Sequence, residues 1–505
     1  MLSDCELSGL TSQPDDPAAS HLPVLPVRVP VYSPEITHNI KDRLKICQEQ
    51  HHECNLTSQE VPILPHRVIE VGAEDSSTSA RLFINDSLQR GEYTCLSYCW
   101  GGPQDVSTTT ATLEQYSICL PSDKLPQTIR DAINITRSLA IRYLWVDALC
   151  ILQDNTDDKT VEIGEMGRIY GNAMVTIAAG SSQRVTDGFL KERTIPYSYQ
   201  LPFYLSAGRF GTISLRACEK LGHTKVDPLE IRGWTLQESL LSRRVLYYGS
   251  RDLLWKCQRE HFVPVNKTHH FYFSTLGYQL PASMSSGRKG HHSERPRLQS
   301  RIWRELVYNY SRRELTIFED RLPALAGIAS ELQNIWKNTY LAGMWQNCLI
   351  RQLGWQGTYI KDPTPEPFRS PSWSWASSRG RVILREAFRE DARFVACEVI
   401  PVDKKSPFGR VKSGKLTLVA AIKPIPVSLN ARAFGMDLGP GGRCSVDQDS
   451  RLLFLGYRPK GRGTCLIISP VGDGTYLRIG ATTVSVTEMD LWRGPNLERE
   501  TVTLI

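Results

Sequence analysis

Three apolar runs and the segments joining them decide the fold: YTCLSY (93–98), PQTIRDAINITRSLAIR (126–142) leading straight into YLWVDALCIL (143–152), and MVTIAA (174–179). The first has strand composition and runs into the turn signal Gly101-Gly102-Pro103. In the second, Ile129, Ala132, Ile133, Thr136 and Ala140 share one face at helical spacing, and Pro126 sits where a first turn tolerates it. The run from Tyr143 is nearly continuously apolar, as a strand buried on both faces should be, with Asp147 its charged interruption. Asp157 and Asp158 suit the start of another helix, striped by Met166, Ile169, Tyr170 and Ala173. Strand, helix, strand, helix, strand predicts an α/β fold: neighbouring parallel strands at 93–98, 143–150 and 174–179, covered on both faces. Ligands of such sheets sit beyond the carboxyl ends of the strands, which puts Ser97–Gly101, Asp147 and the segment near Gly180 at one rim.

Outward from this core, residues 36–54 suggest a short helix, 65–71 and 80–85 two strands, 234–242 a helix and Arg244–Tyr248 a further strand. Residues 1–35 are Pro-rich and aperiodic and read as a mobile arm. The expected organisation is an N-terminal extension (1–60), an α/β domain (61–275), a linker or loop (276–300), a helical region (301–365) and a β-rich C-terminal domain (366–505). In the last, KLTLVAAI, RLLFLGY, TCLIIS and YLRIGATTVSV are spaced by turn residues and predict an antiparallel sandwich or barrel. The basic stretch Arg288 to Arg313 reads as a solvated loop and helix face.

A net charge of +7 over 505 residues is mild and demands no nucleic-acid partner. The first twenty residues carry acidic and small side chains where a secretory signal needs a basic and then an apolar segment. The longest apolar runs, such as Leu416–Ile422, are strand-sized, so no membrane span is expected and the expected compartment is the cytoplasm or the nucleus. Thirteen cysteines is an odd count, and Cys95, Cys99, Cys150 and Cys465 lie inside apolar runs, which predicts buried thiols without disulfides.

YTCLSYCWGG (93–102), the run from Leu125 to Ala179 and RGWTLQESLLSRRVLYY (232–248) are similar, in order, to the signature blocks of the fungal heterokaryon-incompatibility (HET) domain family, over roughly residues 91–260. RLPALAGIA (321–329) and PSWSWAS (371–377) resemble stretches common downstream of such domains. Ala140 stands where the family often carries Gly, and Leu236 where it often carries Phe. The resemblance implies nonself recognition between genetically different fungal cells, ending in growth arrest or programmed cell death. It implies protein partners of an incompatibility system, or self-association. A remoter likeness to Toll/interleukin-receptor (TIR) domains implies a flavodoxin-like parallel sheet. Some TIR domains cleave NAD, so that likeness also implies NAD as a substrate; no cofactor is firmly implied.

On the TIR likeness Glu238 is the candidate catalytic residue. Trp234 and Glu238, in W-x-x-x-E, fall one helical turn apart on the same face. A fixed carboxylate near the ribose would stabilise an oxocarbenium-like state; the structural alternative pairs Glu238 with Arg243, Arg244 or a backbone N–H. Asp147 is a rim carboxylate or a structural link to Arg130, Arg137 or a Trp N–H. Ser97, Tyr98, Trp100 and Gly101 complete the candidate ligand-binding set: backbone N–H groups at the turn could meet a phosphate and Trp100 could stack on a base. SYCWGG is no P-loop, and the chain has no H-E-x-x-H, G-x-S-x-G or Rossmann fingerprint. Cys47, His51, His52 and Cys54 suit zinc by type, but a second cluster at finger spacing is absent and His66 is the only obvious fourth ligand, so no metal site is assigned.

Overall fold

The computed structural model describes residues 6–11, 16–21, 30–55, 60–72, 79–193, 198–205, 208–218, 226–250, 252–265, 295–357, 370–384, 389–425, 435–436, 448–472, 474–485, 489, 492 and 497–505. The chain divides into two compact units, Met1–Ala282 and Ser283–Ile505. The expected linker at 276–300 straddles this division; its part before Arg295, with the start of the basic stretch, lies outside the described residues, and Arg295 begins a helix.

In chain order the first unit contains β1 (Glu6–Thr11), α1 (Pro34–Gln50), β2 (Arg67–Glu70), β3 (Arg81–Ile84), β4 (Tyr93–Ser97), α2 (Leu113–Ile118), α3 (Gln127–Ser138), β5 (Tyr143–Trp145) and α4 (Asp147–Cys150). It continues with α5 (Thr156–Asn172), β6 (Val175–Ala178), β7 (Ser198–Tyr204), β8 (Phe210–Cys218), α6 (Pro228–Ile231), α7 (Trp234–Leu241), β9 (Arg244–Tyr248), β10 (Leu253–Cys257) and β11 (Val263–Pro264). The main sheet has the order β11-β10-β9-β6-β4-β5-β2-β3. β4 pairs in parallel with β5 on one side and β6 on the other, and β6 pairs in parallel with β9. The outer strands β2, β3, β10 and β11 are antiparallel to their neighbours. The parallel core expected from the apolar runs is therefore present, with β4 at its centre. For right-handed crossovers this order puts α3 on one face and α5 and α7 on the other; α5 and α7 do lie against each other.

The strand expected to run on through Asp147 ends at Trp145 instead. The Val146 carbonyl accepts the amides of Leu149 (3.0 Å) and Cys150 (2.7 Å), so Asp147 opens a buried helical turn. An apolar run looks alike as strand or buried turn, which is why the sequence overextended it. The N-terminal region also departs from expectation. Glu6–Thr11, within the supposed arm, pairs antiparallel with β8, itself paired with β7. α1 begins two residues earlier than expected, at Pro34, where the Ser33 hydroxyl accepts the Ile36 amide at 3.2 Å. Its stripe Ile36, Ile40, Leu44 and Cys47 enters the core of the sheet, so this helix is part of the α/β unit.

Arg67 on β2 is 3 % exposed and ties the outer sheet to the helical layer. It donates to the Cys150 carbonyl at 2.7 Å and to Asp158 at 2.6 Å, with Glu162 at 3.5 Å. A buried guanidinium persists only with its charge matched in this way.

The second unit contains helices Arg295–Tyr310 and Ala326–Trp336 and a large sheet. Strand Val411–Ala420 pairs with Arg393–Pro401 and Glu500–Leu504, while its continuation Ile422–Pro424 pairs with Arg451–Tyr457. Arg451–Tyr457, Gly463–Gly472 and Thr475–Val484 follow antiparallel, and Thr475–Val484 meets Glu500–Leu504 in parallel. The pairing path thus returns on itself, as in a barrel, mostly antiparallel. Trp303 and Trp375 both donate their indole N–H to the Gly343 carbonyl, at 2.8 and 2.5 Å, and the Arg478 guanidinium lies 3.5 Å from the centre of the Trp355 ring. No helix among the described residues is long and apolar enough to cross a membrane. Ten cysteines of the described residues, Cys47, Cys54, Cys95 and Cys257 among them, are free thiols.

Helix α3 stops in a Schellman arrangement: Ala140 N–H donates to Arg137 (2.8 Å) and Ile141 N–H to Thr136 (3.1 Å). That geometry puts Ala140 at φ +59, the left-handed region that a Cβ disfavours. The Gly common in similar sequences at this position has its reason here. Because Ala140 is exposed, no packing is lost by the exchange. Ala140→Gly should raise the unfolding free energy by about 1 kcal/mol, read as a higher midpoint in urea at unchanged slope. A lower midpoint would mean that the turn is not left-handed.

Candidate functional site

The carboxyl end of β4 is where the polar side chains converge. All five residues of the strand are buried, so each polar group on it needs an internal partner. Ser97, its last residue, donates its hydroxyl to Glu238 of α7. Glu238 is 5 % exposed although it is charged by type. Its position follows from α7: Leu236 and Leu240 bury one side of the helix, and Trp234, one turn before Glu238, packs against the main core while staying partly exposed.

Across the rim, the end of β5 supplies Asp147. Its Oδ2 accepts the Trp100 indole N–H at 2.9 Å and its Oδ1 accepts the Ala148 amide at 2.7 Å. The Tyr98 phenol is buried, and burial together with the neighbouring Asp147 carboxylate pushes its pKa well up. Arg232 donates to the Tyr98 carbonyl, and its charge acts on both carboxylates. Tyr170 of α5 lies on the inner side, with its hydroxyl donating to the Leu96 carbonyl at 3.0 Å.

Burial raises Glu238 to about 7, against the pull of Arg232 and the hydrogen bond from Ser97; Asp147 adds to the rise. Burial also raises Asp147, opposed by Arg232, Tyr98 and Trp100. Two carboxylates thus share one guanidinium, and the deeper one changes protonation near neutrality. Such a carboxyl can give or take a proton at working pH and, once ionised, can stabilise a developing cation. Trp100, Asp147, Arg232 and Trp234 are the partly exposed members, with Glu238 beneath them.

Of the residues expected at the rim, Ser97, Tyr98, Trp100, Asp147 and Glu238 come together. Asp147 takes the Trp N–H contact that was one of its three expected structural links, while Arg137 donates instead to the Val71 carbonyl and Arg130 to Gln127. Arg244 does not meet Glu238; it turns to Cys47 and Asn55. Gly101 has its own structural reason: at φ +70, any Cβ would lie 2.7 Å from the Arg184 Cα. The sequence reading missed Arg232 and Tyr170 as partners. Arg232 stood inside the RGWTLQES block, but nothing in its spacing pointed across the sheet. Lys256 of β10 was also missed; it is 2 % exposed, and burial lowers it to about 7.

An open groove of about 580 Å³ lies elsewhere, at the start of α3, lined among others by Lys124, Gln127, Arg130, Asp131 and Lys191. None of the residues expected at the rim lines it.

Residues 93–238 match the family model described as heterokaryon incompatibility protein (HET). No curated protein and no solved structure matches the chain. The matched segment opens at the first residue of β4 and closes on Glu238, so it spans the strand end and the carboxylate that caps it.

The raised pKa of Glu238 has a consequence for stability. Its ordinary value is 4.5 and its value in the fold about 7, so between these the folded chain binds more protons than the unfolded one. Stability from this group is therefore lost as pH rises from about 4.5 and is fully lost above about 7. Glu238→Gln keeps the shape and does not titrate. Its stability relative to the parent chain should climb by on the order of 3 kcal/mol between about pH 4.5 and pH 8, measured by urea unfolding. Parallel pH profiles for the two proteins would show that the carboxylate is solvated.

Proposed function

We infer, from the match of residues 93–238 to the HET family model, that this chain is a nonself-recognition protein whose HET domain triggers growth arrest or cell death. The observation that carries this reading is the family match itself. In this reading the domain acts through contacts with protein partners of an incompatibility system, or with a second copy of the chain. Induced expression in a filamentous fungal host should then arrest growth or kill cells. A chain with the HET domain unfolded by substitutions in β4 should not. Normal growth on expression of the intact chain, with and without a genetically different partner strain, would count against it.

A second reading is favoured by one specific observation: Ser97, Asp147 and Glu238 share a cluster at the carboxyl end of the central parallel strand. The parallel order β5-β4-β6-β9 supports a flavodoxin-like, TIR-like arrangement, in which ligands sit where connections diverge from the first strand. In this reading NAD is the substrate. Its nicotinamide–ribose bond breaks with the electron pair leaving on nicotinamide, and water adds to the ribose and gives up a proton to solvent. Glu238, ionised, faces the oxocarbenium-like carbon, Asp147 and Arg232 order the rim, and Trp100 or Trp234 offers a face for stacking.

The two readings part on one variant. If NAD is cleaved, purified protein releases free nicotinamide, and Glu238→Gln lowers that release at least about a hundredfold and abolishes growth arrest, with the fold intact. If the domain works by protein contact alone, neither protein releases nicotinamide and the folded variant still arrests growth.

A further inference from the structure

At the edge of the sheet opposite the rim, four side chains from two distant parts of the chain meet. Cys47 comes from the last turn of α1, His51 from its C-cap and Cys54 from the 3-10 turn that follows. Cys257 comes from the end of β10, where it pairs with Arg244, the first residue of β9. Three sulfurs and one imidazole nitrogen lie within 4.8 Å of one another, and all four residues are buried, His51 the most exposed at 7 %. The His51 Nδ1 is 3.3 Å from the Cys257 sulfur.

We propose that Cys47, His51, Cys54 and Cys257 form a structural zinc site that fastens α1 to strand β10. Zinc held by three sulfurs at ~2.3 Å and a nitrogen at ~2.0 Å keeps its ligand atoms about 3.5–3.8 Å apart. The observed set needs only a small contraction to reach that tetrahedron. Thiolates with an imidazole select zinc among common divalent ions, and four protein ligands leave no position for a reacting water. The role is therefore architectural.

The surroundings suit the charge of such a centre. As zinc binds, each thiol releases its proton to solvent; three thiolates and a neutral imidazole around Zn²⁺ carry a net charge of −1. Arg244 supplies the matching positive charge, its Nε donating to the Cys47 sulfur at 3.1 Å, and the Glu260 amide donates to the Cys257 sulfur at 3.3 Å. Outer partners of this kind fix metal ligands in place. Asn55 shapes the turn, its amide reaching the carbonyls of Gln48 (2.8 Å) and His51 (3.1 Å) while its oxygen accepts from Arg244 at 3.1 Å. Arg43 and Glu260 span the same junction with an ion pair of 2.8 Å.

The sequence offered three of these residues within C-x3-H-H-x-C, with His66 as the obvious further ligand, and not Cys257. His66 is engaged elsewhere, 3.4 Å from Glu162 beside Arg67, and His52 is exposed. Cys257 is separated from Cys54 by most of the domain, so no local spacing could propose it.

The test is metal analysis of the full-length chain purified without chelator. About one zinc per chain is expected, retained by His52→Ala and Cys119→Ser and lost at least about tenfold by Cys257→Ser and His51→Ala. Because loss of a ligand can unfold the domain, the parent chain carries a second measurement. Exchanging its metal for Co²⁺ should give the sulfur-to-cobalt charge-transfer and tetrahedral ligand-field bands of a thiolate-rich site. A strong chelator should also lower its melting temperature. A folded, metal-free chain that gives no such bands, iron in place of zinc, or a disulfide among Cys47, Cys54 and Cys257 by mass analysis would each overturn the proposal.

Discussion

Burial of β4 on every residue is the constraint on which the α/β unit depends. A strand at the centre of a parallel sheet has no access to water, so each polar group on it must find its partner in a covering helix. Three of them do so with three different helices. The Thr94 hydroxyl meets Thr136 of α3 at 2.8 Å, the Tyr93 hydroxyl donates to the Ile169 carbonyl of α5 at 2.7 Å, and Ser97 donates to Glu238 of α7. These bonds set the angle and height of the helices as much as the apolar packing does. Apolar contact tolerates sliding; a buried hydroxyl left without its partner does not.

The cluster at the strand end follows from the same rule, extended to charge. Bringing Glu238 over Ser97 removes a carboxylate from water, and the fold answers with a proton, a hydroxyl and Arg232 rather than with a full ion pair. Asp147, nearer the surface, is also raised by burial, opposed by Arg232, Tyr98, Trp100 and the Ala148 amide. The result is a pair of acidic groups in unlike surroundings, the arrangement that separates proton-carrying from ionised roles in one site. The same helix of eight residues is tied at several points. Its polar residue Glu238 is anchored, Ser242 just beyond its end donates back to the Glu238 carbonyl at 2.6 Å, and Thr176 of β6 meets that same hydroxyl at 2.6 Å.

The opposite edge of the sheet solves a different problem. α1 precedes the matched segment in sequence and lacks a neighbour in the parallel alternation, yet its apolar stripe enters the common core. Four converging ligand-type side chains, an arginine directed at a sulfur and the Arg43–Glu260 pair hold it to β10 across some two hundred residues of chain. In the second unit tryptophans take a comparable role. Trp303 and Trp375 meet on one carbonyl oxygen, and the motif Pro371–Ser377 that carries Trp375 is buried through its indoles, Trp373 and Trp375 both being inaccessible.

The amino-acid sequence by itself determined the parallel core and its order along the chain, because apolar periodicity records which faces leave water. It showed the helix of 126–142 within a few residues and the strand Arg244–Tyr248 to the residue. It also placed Ser97 and Asp147 at one rim, since alternation of strand and helix brings the strand ends there, while Glu238 was singled out by the likeness to TIR domains and the W-x-x-x-E spacing. It did not reveal that the run after Trp145 turns into a helix, because an apolar run is silent about its backbone until the carbonyl of Val146 finds its donors. Only the tertiary structure decided that Arg232 serves both carboxylates, that Glu238 is buried rather than open, and that Cys257 completes the set begun by Cys47, His51 and Cys54. Each of these depends on which side chains meet across strands far apart in sequence. Local spacing carries no trace of that, because the energy that selects such contacts is released only when the sheet has closed around them.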